Sequence, residues 1–154
     1  MNRKRDLVLL ALSLFCIPIA IVDKQDMWLE FFDTHWLFTW GTYSGRLGQF
    51  FLIPYSNTPA YEFADLISWL LAFLWIGVTI VSYYILQRRS GKTFVRDIGF
   101  LAALLIGQVL APLALFALAV QEGTSFYISW ILPFPGPSLI AMILRVYYRI
   151  KAKE

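Results

Sequence analysis

Apolar residues concentrate in four runs, 7–22, 66–86, 98–120 and 126–144, separated by charged or turn-forming stretches. A helix rises about 1.5 Å per residue and the bilayer's hydrocarbon core is about 30 Å thick, so roughly 20 residues are needed to cross. The second and third runs meet that length. The first is short and reaches it only with flanking residues at the interface. The fourth reaches it only if the proline-rich segment 133–137 lies inside it. The pattern predicts an all-α integral membrane protein with one domain over residues 1–154. Its four transmembrane helices span about 7–22, 64–87, 96–120 and 125–148, and an outer loop covers 23–63.

Local signals agree with these boundaries. Thr58-Pro59 reads as an N-cap with proline in the first turn of the second helix. Ser90-Gly91 closes that helix, with Arg88 and Arg89 complementing its dipole. Thr93 caps the third helix, and Gly123-Thr124-Ser125 turns the chain into the fourth. No small-x-small site follows the first run, so it reads as a retained helix and not a cleaved signal peptide.

Charge placement orients the spans. Eleven of the thirteen basic residues lie before the first run, between the second and third, or in the tail; only Lys24 and Arg46 lie elsewhere. Three acids share the basic side and seven lie opposite. The positive-inside rule therefore predicts cytoplasmic N- and C-termini in a multi-pass protein of the cell membrane. Anionic lipid headgroups on the cytoplasmic side are expected partners. The net charge of +3 is a topology signature and no nucleic-acid footprint. Composition supports the class: 59% of residues are apolar, 15% charged and 18% aromatic. The single Cys16 excludes an intrachain disulfide.

The outer loop is rich in aromatics. Trp28, Phe31, Phe32 and Trp36 recur at helical spacing, while Asp26, Glu30 and Asp33 follow another face. This predicts a partly helical segment with Trp28, Phe31, Phe32, Trp36 and Trp40 at the membrane interface or against a partner protein.

Candidate chemistry is sparse. His35, the only histidine, is a metal ligand or general base in one reading and a polar residue on the wet face in the other. A lone histidine excludes intrachain bis-His haem, three-His zinc and di-iron sites. Glu62 and Asp65 share a helix face, either as paired carboxylates or as acids complementing a helix N-terminus. No acid or base occupies the central part of any span, which argues against proton relays and ion-coupled transport. No catalytic residue, metal or cofactor is expected on this basis.

Two features stand out. Gly99, Ala103, Gly107 and Ala111 recur every four residues, the spacing that lets membrane helices approach closely. Beside them Gln108 lies near the midplane, four residues before Pro112, which has no N–H to offer the Gln108 carbonyl. Gln108 then serves an interhelical hydrogen bond or a substrate contact. The second feature is the helix break at Pro133, Pro135, Gly136 and Pro137, a rigid joint against a partner or part of a transport path. The leading expectation is a non-catalytic accessory or structural subunit of a larger membrane protein complex, partnered by other membrane subunits. A small channel or transporter for a neutral or lipid-like substrate is the alternative. An outer-surface enzyme acting on lipids, using Glu62, Asp65, Arg46 or His35, is a weaker one.

Overall fold

A computed structural model describes residues 3–26, 32–44, 48–52, 59–88, 93–121 and 126–152. In chain order the elements are helix α1 (Arg3–Cys16), strands β1 (Ala20–Asp26), β2 (Phe32–Leu37), β3 (Gly41–Ser44) and β4 (Gln49–Leu52), helices α2 (Pro59–Gln87) and α3 (Phe94–Gln121), strand β5 (Phe126–Pro133) and helix α4 (Gly136–Lys151). The five strands form one antiparallel sheet in the order β4-β3-β2-β1-β5.

The protein is mostly helical, but the expectation of an all-α chain with four crossing helices is corrected. Among the described residues, only α2 and α3 contain stretches long and apolar enough to cross a membrane, Trp69–Gln87 and Phe94–Leu115. The first apolar run splits. α1 stops at Cys16 because Pro18 has no N–H and forces Ile17 out of helical geometry. The β-branched residues that follow, Ile19, Ile21 and Val22, then enter β1 and its approach. At 14 residues α1 is about 21 Å long, short of the hydrocarbon thickness.

The fourth run splits in the same way. Its first half, rich in aromatic and β-branched residues, is β5, and α4 begins only after Pro133 and Pro135. Pro135 occupies the N-cap and Pro137 the first turn of α4, positions where a missing N–H costs no helical hydrogen bond. The proline segment therefore starts a helix more than it breaks one.

The outer loop also departs from expectation. The amphipathic helix expected over 26–40 is replaced in its described part by β2, followed by a turn into β3. Phe32 and Trp36 lie on that strand; Trp28 and Phe31 lie outside the described residues. Gly48 takes a positive φ of 61° in the β3–β4 turn, a conformation most side chains disfavour, and its N–H bonds the Ser44 carbonyl.

β1 is the central partner of β2 and β5, pairing Ala20 with both Leu37 and Pro133. Ile19 extends that junction: its N–H bonds Leu37 and its carbonyl accepts from Phe134. The core has two parts. Near the sheet, Ile19, Ala20, Val22 and Leu37 pack with Leu71, Ala72 and Trp75 of α2, and Ala111 and Leu115 of α3 lie against them. At the opposite end, Leu10 (α1), Ile85 and Leu86 (α2), Leu101 (α3) and Ala141 and Leu144 (α4) form a four-helix core. The α2–α3 hairpin thus runs the full length, flanked by the sheet at one end and by α1 and α4 at the other.

Candidate functional site

Two clusters of buried polar residues lie in the four-helix half, one at each end of α4. The first joins Gln108 to the start of α4. Gln108 is fully buried, and its Oε1 accepts hydrogen bonds from the Ser138 backbone N–H at 3.4 Å and from the Ser138 hydroxyl. Ser138 Oγ also lies 3.2 Å from the Pro135 carbonyl. Pro112 is buried as well, and α3 continues through it as one helix. The structure therefore brings together Gln108, Pro112 and the 133–137 segment. Gln108 Nε2 has no hydrogen-bond partner among the described residues, although it is buried. Such an unmet donor costs about 1–3 kcal/mol. The arrangement can offer one amide N–H to a small acceptor. Beside it Gly136 packs closely on α1's exit: a Cβ there would sit 3.2 Å from Ile17 Cδ1.

The second cluster closes the other end. Asp97, 2% exposed, receives Arg145 Nη2 at 2.5 Å, the Thr93 hydroxyl at 3.0 Å and Arg88 Nη1 at 3.8 Å. Arg145 also donates to the Arg88 carbonyl at 3.1 Å, which satisfies one of the orphan acceptors at the end of α2. A turn away, the Tyr148 hydroxyl donates to the buried Asp6 carboxylate and lies 3.2 Å from Arg5 Nη2. Burial, followed by the hydrogen bond to Asp6, pushes the Tyr148 phenol above its ordinary value. The hydrogen bond from Arg5 to Tyr148 holds the exposed Arg5 guanidinium above its own. One cluster thereby ties α1, α2, α3 and α4 together.

In the sequence these residues count only as charges of the basic side, Arg145 among the tail cations and Asp6 and Asp97 among the acids there. The signal lies in spacing: Ser138, Ala141, Leu144 and Arg145 share one buried stripe of α4, and Asp97, Leu101, Gln108 and Pro112 share one of α3. Asp6 and Leu10 fall on one stripe of α1 in the same way. A charge on an apolar stripe is a buried charge.

The small-residue row is placed differently from its neighbours. Gly99, Ala103 and Gly107 are exposed and Ala111 is half-buried against the core. At 100° per residue, an i+4 row advances about 40° per step round the helix. It therefore winds from the open side at Gly99 to the edge of the core at Ala111. No described atom lies within 4 Å of a Cβ built at Gly99 or Gly107.

The interfacial aromatics also take separate roles. Trp36 is 40% exposed on β2. Trp40 Nε1 donates to the Phe15 carbonyl at 2.9 Å, and Thr39 Oγ1 to the Leu14 carbonyl at 3.1 Å, so the β2–β3 turn caps the last turn of α1. His35 is half-buried on β2, facing Val22 and Ser44 in the strand register. Glu62 and Asp65 lie in the first turns of α2. Arg46 lies outside the described residues. Among the described residues no three His, Cys, Asp or Glu side chains converge. No protein-family model matches the chain, and comparison with curated proteins and with solved structures yields no match.

Proposed function

We propose that the protein is a non-catalytic structural subunit of a membrane complex, with α2 and α3 as the bilayer-crossing helices, α1–β1 and β5–α4 carrying the chain through the same thickness of the cell membrane, and both termini cytoplasmic beside the α2–α3 connection. The observation that carries this reading is the open small-residue row on α3. Only 17% of the apolar stretch of α3 lies inside the structure, against 44% for α2. In lipid, apolar exposure alone drives no association, so helix pairing relies on close backbone approach and dispersion. Gly99, Ala103 and Gly107 permit that approach: all three are exposed, and among the described residues nothing lies within 4 Å of a Cβ built at Gly99 or Gly107. A row that winds round its helix suits a partner helix crossing at an angle along the ridge.

Anchors on α2 support this bilayer position. Trp69 and Phe73, stacked at 5.7 Å and exposed, mark one interface, and Arg88 over Tyr84 marks the other. Trp69 and Arg88 are nineteen residues apart, about 28 Å along a helix, close to the hydrocarbon thickness.

The test compares Gly107→Leu with Ile106→Ala, both at exposed positions of α3. Gly107→Leu should leave the thermal stability of the isolated chain unchanged within about 0.5–1 kcal/mol, since nothing lies where the new side chain goes. It should abolish retention of partner subunits in mild detergent, while Ile106→Ala retains them. Equal retention by both variants refutes the reading.

The alternative, a small channel or transporter for a neutral substrate, rests on a different observation. The buried Gln108 amide nitrogen, beside the start of α4, has no hydrogen-bond partner among the described residues. Substrate-dependent flux in liposomes, lost in Gln108→Leu, would establish it.

A further inference from the structure

We infer that the end of the bundle formed by the start of α1, the end of α2, the start of α3 and the end of α4 is a binding surface for anionic phospholipid headgroups, built around two arginines held on aromatic faces. Lys4, Arg5, Arg88, Arg96, Arg149 and Lys151 are all exposed there. The two described acids of the same end, Asp6 and Asp97, are buried, one against Tyr148 and the other against Arg145. The sequence places acids and bases together at this end; burial removes the acids from the surface and leaves the cations facing outward. A uniformly basic rim at the membrane interface attracts a leaflet of negative charge.

Two of these cations are positioned for more than diffuse attraction. The Arg149 guanidinium carbon lies 4.1 Å from the centroid of the Phe94 ring, and that of Arg88 lies 4.9 Å from the Tyr84 ring. Contact with a ring face holds a guanidinium in place while its N–H donors, which lie in its own plane, remain directed sideways. That is the geometry a phosphate oxygen pair meets in a bidentate contact. Each basic residue beside an anionic surface contributes about a fivefold gain in partitioning. The two together distinguish an anionic from a zwitterionic lipid by about tenfold or more.

The inference rests on the membrane reading above, so the experiment separates the two. Alkaline carbonate extraction of membranes should leave the full chain in the pellet; release into the supernatant would overturn the membrane reading and this inference with it. The purified chain, in micelles holding equal phosphatidylglycerol and phosphatidylcholine, is then examined by native mass spectrometry. Phosphatidylglycerol should be retained preferentially, and Arg88→Gln/Arg149→Gln should lose that preference about tenfold, with thermal stability in phosphatidylcholine alone lowered only slightly, Arg88 being the more distant of the two cations on Asp97. Should that variant fold poorly, Lys4→Gln/Lys151→Gln, altered at two exposed positions, should still reduce the preference severalfold. Equal retention of both lipids by the native chain in a membrane-integral protein overturns this inference alone. So does binding of polyglutamate undisturbed by phosphatidylglycerol, which would point to an acidic protein partner.

Discussion

Replacing Arg145 with methionine keeps most of the side-chain volume and removes the cation that neutralises Asp97. The Asp97 side chain is 1% exposed and that of Arg145 8%, so neither is served by solvent. Breaking a buried pair from one side costs about 3–5 kcal/mol, because the remaining charge stays buried. Two contacts moderate this for Arg145→Met: the Thr93 hydroxyl at 3.0 Å and Arg88 at 3.8 Å, whose half-exposed side chain has room to lean inward. One contact adds to the loss, the hydrogen bond from Arg145 to the Arg88 carbonyl, at about 1 kcal/mol. The expected cost is about 3–4 kcal/mol. Asp97→Asn retains that carbonyl contact and a polar partner for Thr93, and should cost about 2–3 kcal/mol. The double variant Asp97→Leu/Arg145→Met leaves no uncompensated charge and should fall within about 1–2 kcal/mol of the native protein. Equilibrium unfolding in mixed micelles, followed by tryptophan fluorescence with Trp75 buried in the core, measures all three. Single variants that each lose less than about 1 kcal/mol, with an additive double variant, would refute the ion pair as the tie between α3 and α4.

Other outcomes follow from single contacts. Gly136→Ala should destabilise by about 1 kcal/mol, and Ile17→Ala in the same chain should recover that loss, since the new Cβ meets Ile17 Cδ1 at 3.2 Å. Gln108→Leu removes a buried amide with an unmet donor and should change unfolding stability by less than about 1 kcal/mol. The Tyr148 phenol, raised by burial and by Asp6, favours its neutral form when folded. Its contribution is therefore complete below the ordinary tyrosine value of 10.0 and lost as pH rises above it, so native protein should lose stability there faster than Tyr148→Phe. With Cys16 replaced, cysteines at Thr42 and Val95, with α2 the only described helix between them, should label from opposite sides of the membrane; labelling from one side would refute the crossing of α2.

Part of the fold was readable from periodicity and length. α2 and α3 lie within a few residues of the expected second and third spans, because a long apolar run with caps at both ends has few alternative structures. The first and fourth runs were read at helical length although each contains proline, and in each the segment on the sheet side of the proline is a strand. Short apolar runs rich in β-branched and aromatic residues fit either state. Pairing decides between them: β1 finds β2 on one side and β5, more than a hundred residues later, on the other.

Composition and charge order determined that the chain is strongly apolar, that two helices are long enough to cross a bilayer, and that cations gather at one end. These are sums over residues, and they survive any arrangement of the chain. Tertiary structure decided which of those residues meet. Gln108 reaches Ser138, Arg145 reaches Asp97, and Tyr148 reaches Asp6, each across 30 or more positions. It decided too that the small-residue row of α3 stays open while the acids at the basic end are withdrawn from the surface. The physical reason is that burial belongs to a stripe of a helix and its neighbour together. A sequence states the stripe, but only the packed neighbour states whether that stripe faces protein or lipid.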